Sequence, residues 1–104
     1  MIGALACDIS GTIIDTNQCL IKWLGYASRN VLVGRCLWLD VLASRRDWLA
    51  WKKVGGDTTA FLHQDTRLVT QNGQILTAAA EVFAAPSFPS HLQAVFSTHF
   101  VTPS

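Results

Sequence analysis

Charge is scarce in this sequence. Only 14% of its 104 residues are Asp, Glu, Lys or Arg, and eight basic side chains against seven acidic ones leave a formal net charge of +1. No field of one sign therefore draws in nucleic acid, a membrane surface or acidic substrates. The one basic cluster, Arg45 and Arg46 with Lys52 and Lys53, reads as the solvated face of a helix. Cysteine is sparse too: Cys7, Cys19 and Cys36 are odd in number and form no C-x-x-C pair, which argues against a disulfide framework and a zinc knuckle alike. Reduced thiols in an intracellular, reducing compartment fit best, each buried as a small hydrophobe. The apolar runs are broken by Gly34, Arg35 and Asp40 well short of a membrane span, and no basic-then-apolar leader opens the chain. Neither membrane insertion nor nucleic-acid binding is expected. Catalytic signatures are missing as well, with no G-x-S-x-G, P-loop or H-E-x-x-H, and His63, His91 and His99 are too scattered for a standard zinc set. No metal site and no enzymatic activity are expected, although partners that meet only in the fold keep a small α+β enzyme as a distant alternative.

What the chain does have is apolar side chains, which make up half of it. That proportion suits one compact domain spanning 1–104, with no length for a second core. The runs "ALACDI" and "TIIDT" flank Ser10 and Gly11 and read as two strands joined by a tight turn. Leu20, Ile21 and Leu24 then recur at helical spacing behind Asn17, an N-cap residue, and Gly25 ends that helix. A short helical turn starts near Ser28 and breaks at Gly34. Ser44 with Asp47 resembles a capping box, so a helix is expected from Arg45 to Val54, closed by Lys52 and Lys53, with Gly55 and Gly56 as its exit.

The remainder reads as sheet. "FLHQDTRLVT" and the strand Ile75–Ala84 flank Asn72-Gly73, a strong hairpin signal, and a loop containing Pro86 and Pro89 leads to a last strand from Leu92 to Val101. Two strands, several short helices and three strands make an α+β order with helices packed on one face of a sheet. A lone hairpin is marginal, so the first pair of strands is expected to join the later ones in one five-stranded sheet.

In this order the residues resemble a PAS domain. The family's opening pattern of acid, glycine turn, isoleucine, asparagine cap and Gly-Tyr pair is matched by Asp8, Gly11, Ile13, Asn17, Gly25 and Tyr26. Gly34 follows where the family has a glycine, and Asn72 and Gly73 stand at its hairpin between the third and fourth strands. The resemblance covers Ala4 to Val101. It implies an antiparallel sheet of order 2-1-5-4-3, and a sensory or regulatory module of a larger signalling protein. It also casts Asp8 and Asp15 as turn and surface residues rather than a catalytic pair.

Two uses follow from the resemblance. The first is protein–protein association through the outer sheet face, as a homodimer or with an adjacent domain, for which Val82, Phe83, Val95, Phe96, Phe100 and Val101 are the candidate residues. The second is a ligand pocket walled by Trp38, Leu42, Trp48, Trp51, Phe61 and His63, holding haem or a small apolar molecule. No cofactor is required by the sequence. The long helix lacks a histidine for haem, leaving His63 as the candidate. A flavin photoadduct is not expected, because "GRCLWLDV" around Cys36 lacks the N-C-R-F-L-Q motif.

Overall fold

Every second residue from Gly3 turns inward along the first strand, and that alternation decides which side of the sheet the rest of the chain covers. The computed structural model describes residues 2–55, 57, 59–85 and 91–97. Its elements run β1 (Ile2–Asp8), β2 (Ile13–Thr16), α1 (Gln18–Leu24), α2 (Arg29–Leu32), α3 (Leu37–Asp40), α4 (Arg45–Lys52), β3 (Phe61–Val69), β4 (Ile75–Ala84) and β5 (His91–Ser97). The five strands form one antiparallel sheet of order β2-β1-β5-β4-β3. β1 thus lies between its hairpin partner and the last strand, with Leu5 opposite Ala94 and Cys7 opposite Leu92.

Local chemistry explains the elements. The Asp8 carboxylate accepts from Ser10 N at 3.0 Å, Ser10 Oγ at 2.6 Å and Thr12 N at 3.0 Å, which folds the β1–β2 turn around it. Gly11 takes φ +93° there, and a Cβ on it would lie 2.6 Å from Trp38 Cδ1. Asn17 caps α1, its Oδ1 accepting from Leu20 N at 3.0 Å. The same side chain bonds β1, accepting from Ala4 N at 3.0 Å and donating to Ile2 O at 2.9 Å.

The core lies on one side of the sheet. Leu5, Cys7, Leu68, Ala78, Ala80, Val82, Leu92, Ala94 and Phe96 face it from the strands, and Leu20, Ile21, Leu24, Leu32, Leu37, Val41, Leu42, Trp48 and Trp51 close it from the helices. Alanines on the inner side of β4 leave depth for indole rings, and Trp51 lies 5.9 Å from Phe96 between ring centroids.

The structure departs from the expectations of the sequence in four places. α4 stops at Lys52, because beyond it Val54 N turns back to Trp51 O instead of continuing the helical ladder. Ser44 caps it by accepting from Arg46 N, but the Asp47 carboxylate accepts from Gln64 Nε2 instead of closing a capping box. The single turn α3 has no counterpart among the expected helices. Of the three cysteines Cys7 alone is buried; Cys19 and Cys36 are half-buried. The hairpin expected at Asn72-Gly73 is present, as a three-residue loop in which Gly73 N bonds Thr70 O and Gly73 at φ +89° forms the bulge after a type I turn. The prolines of the expected loop, His99, and the expected strand residues Phe100 and Val101 lie outside the described residues.

Candidate functional site

The two sides of the sheet separate the candidate residues by parity. On the helix side, Leu42, Trp48 and Trp51 come together in the core, and Trp38 packs against it from the rim. Trp38 is held by its Nε1–H, which donates to Ser10 O at 3.0 Å, and by the Arg45 guanidinium 4.8 Å above its ring. Trp51 is fully buried, and among the described residues its Nε1–H has no hydrogen-bond partner. Such an atom is costly in an apolar interior unless something accepts from it. Nearby on the inner side of β3, Gln64 Nε2 donates to Asp47 Oδ1 at 3.3 Å and to Thr66 Oγ1 at 3.4 Å.

Phe61 and His63 do not join this group. Thr66 and Leu68 point inward, so residues of the opposite parity on β3 face out; Phe61 is 61% exposed and His63 is exposed beside Glu81 of β4. His63 therefore offers nothing to a group held between helices and sheet, which removes it as the haem candidate. His91, the other described histidine, also falls on the outer side of its strand. Among the described residues no cluster of three or more His, Cys, Asp or Glu is placed to hold a metal ion.

On the outer side, Phe83 and Val95 line a groove of about 260 Å³ with Ala4, Ala6 and Gln93, and with Asp15 and Asn17 on its rim. Val82 and Phe96, expected on this surface, are buried in the core instead, since each follows or precedes an outward residue by one position. Ala4 and Ala6 of β1 are groove residues that a search for large apolar side chains passes over. Strict alternation from Leu5 and Cys7 finds them, because they are the residues between. A second, more polar hollow of about 290 Å³ lies between Trp23 and Gly25 of the α1 end and the Thr70–Gln74 loop.

Electrostatics are local. Asp15 is exposed and held below the ordinary carboxylate range, first by the hydrogen bond from Arg29 Nε and then by Thr16 N, in an ion pair of 2.9 Å. For Asp8, burial pushes the acid up, but the Ser10 hydroxyl and the backbone N–H groups of Thr12, Ser10 and Gly11 outweigh it and lower it. Burial, followed by the charge of Asp8 and the proximity of Cys36, pushes the Cys7 thiol up to about 12, so this sulfur is neither nucleophile nor ligand at neutral pH. Among the described residues no helix is long and apolar enough to cross a membrane.

No protein-family model and no curated protein sequence matches the chain. Solved structures do. The chain is similar to the PAS domain of an HTR-like protein from Haloarcula marismortui, with a TM-score of 0.76 and 18% identity over 94% of this chain and 81% of that one. The PAS domain of nitrogen regulation protein NR(II) from Vibrio parahaemolyticus gives 0.75 and 15% over 94% and 89%. A domain of a sensory box sensor histidine kinase/response regulator from Geobacter sulfurreducens gives 0.73 and 19% over 91% and 81%. With strand order β2-β1-β5-β4-β3, a capped helix leaving the first hairpin and helices on one face alone, the chain has the PAS-domain fold.

Proposed function

We infer that the chain is a PAS-type sensory or regulatory module of a larger signalling polypeptide, and that its output is protein–protein association at the outer face of the sheet. The observation that carries this reading is the outer groove, whose Ala4, Ala6, Phe83 and Val95 are apolar side chains on the face that the helices leave uncovered. Support also comes from the similar folds in a sensor histidine kinase and a nitrogen regulation protein. Asn17 is the natural link between signal and output: it caps α1, bonds β1 at Ile2 and Ala4, and stands on the groove's rim. A change in the helix layer that moves α1 shifts the population of groove shapes that a docked domain meets.

Val95→Arg tests the reading. The side chain is half-buried on the outer face, so the fold survives, as far-UV circular dichroism would show, while a guanidinium in the docking surface weakens association at least about tenfold. Sedimentation of the isolated chain registers a homodimer; signalling output of the full-length polypeptide registers a docked neighbour. Wild-type behaviour in both would remove the reading.

A second reading rests on the Nε1–H of Trp51, which has no partner among the described residues. A small, largely apolar molecule with one acceptor atom, seated among Trp48, Trp51 and Leu42, would satisfy it. Native mass spectrometry and the absorption spectrum of freshly purified protein test this; a bare mass and a featureless spectrum beyond the aromatic band count against it.

A further inference from the structure

We propose that the first half of β3 is a strand-pairing edge, and that its occupant is the same edge of a second copy of this chain, giving one antiparallel sheet continuous across a two-fold axis at His63. β3 is the last strand of the sheet. Among the described residues its free side is covered only toward the end: Arg67 O accepts from Ala43 N at 2.9 Å, and Val69 N donates to Val41 O at 2.7 Å. Those backbone groups point away from β4. The β3–β4 register runs without a shift from Phe61 opposite Phe83 to Val69 opposite Ile75, so residues two and four positions earlier point the same way. Phe61, His63 and Asp65 therefore present their N–H and C=O groups to the open edge, and among the described residues nothing bonds them.

The open stretch selects its own partner. Val41–Ala43 blocks any added strand beyond Asp65, and β3 begins at Phe61, so an incoming strand has room for three outward-facing positions. A second copy in antiparallel orientation supplies a stretch of the same length and the same limits. In the register that uses all three, His63 lies opposite the second copy's His63, and Phe61 opposite its Asp65. Each of these residues then exchanges both backbone bonds with its opposite number. No two like-charged carboxylates face each other, and the Phe61 ring, 61% exposed in the single chain, gains cover from the neighbouring strand. A shift by two residues in either direction loses a pair or runs into the Val41–Ala43 wall. This contact uses the edge of the sheet and not its outer groove, so it stands or falls apart from the function proposed above.

Proline at position 63 is the direct test. His63 N is not part of the β4 ladder, so His63→Pro removes an outward donor from an edge strand and leaves the β3–β4 bonds in place. Each dimer loses two hydrogen bonds, and self-association measured by sedimentation equilibrium weakens about 30-fold. His63→Ala keeps the backbone and should associate like the parent. Residue-resolved amide exchange supplies a measurement on the unaltered chain: protection at Phe61, His63 and Asp65 should rise with protein concentration, while Leu62 and Gln64 stay protected throughout. A chain that is monomeric at every concentration, with those three amides exchanging freely, overturns the proposal. So does a dimer that tolerates His63→Pro and is broken by Val95→Arg, since that dimer is built on the outer face.

Discussion

At the scale of single residues, the turn between β1 and β2 is tightly constrained. Asp8 gathers three donors, and the backbone that delivers them passes through Gly11 at φ +93°, flat against the Trp38 indole. An alanine there meets two penalties, a left-handed backbone angle and a methyl group 2.6 Å from Trp38 Cδ1. Gly11→Ala should therefore cost about 3 kcal/mol in urea-induced unfolding. Gly73 is a matched control, since its φ is +89° and among the described residues nothing lies within 4 Å of an added Cβ. Gly73→Ala meets the backbone penalty alone, about 1 kcal/mol. Equal losses at the two positions would mean that Trp38 does not pack on the turn, and the rim of the indole cluster would have to be redrawn.

At the scale of elements, the Asn17 side chain ties the start of α1 to β1. The paired residues of β1 and β2 start at Leu5 and Thr16; ahead of them Asn17 N and Thr16 Oγ1 bond Ala4 O, and the Asn17 side chain adds bonds at Ile2 O and Ala4 N. Asn17→Ala gives up a helix cap and two bonds to the strand, a loss of about 2 kcal/mol. Asn17→Asp keeps the acceptor for Leu20 N and Ala4 N and loses only the donor to Ile2 O. It should fall near the midpoint, and amide exchange at Ala4 should quicken in the alanine variant but not in the aspartate. Elements of this kind are legible in the sequence, because an asparagine before Leu20, Ile21 and Leu24 states both the cap and the buried stripe. α3 is not, since four residues make one turn and show no period. The faces of β4 and β5 mislead for a different reason: Val82 with Phe83, and Val95 with Phe96, look like one apolar patch in a sequence, yet a strand sends neighbours to opposite sides. The same parity, applied to β3, takes His63 and Phe61 out of the interior where the expected pocket needs them.

At the scale of the whole molecule, the five-stranded sheet is recoverable from the sequence because a hairpin at each end of the chain needs a third strand to cover it, and β5 is the strand that satisfies both. The interior's filling is not recoverable, since the same indoles line a cavity or close it. The ionisable groups that the fold has captured set the pH range in which it is stable. Asp8, Asp15 and Asp57 all titrate below the ordinary 3.8. For a carboxylate lowered by folding, the stabilisation is present above its unfolded value and disappears as pH falls through the folded one. Cys7 acts at the other end. Its thiol rises from 9.0 to about 12 on burial, so its contribution is complete below 9.0 and is lost as pH climbs toward 12. Tyr26 adds to the same alkaline limb, since burial raises its phenol against the opposing pull of Arg35. The urea midpoint should therefore be level from about pH 5 to 8 and fall on both sides. Asp8→Asn should make the acid limb shallower, because a group that no longer titrates cannot contribute slope. Cys7→Ala lowers the plateau by the lost packing but flattens the alkaline limb. If instead the alkaline limb of Cys7→Ala runs parallel to that of the parent, Cys7 ionises as easily in the fold as out of it, and the closed packing between β1 and the helices is wrong.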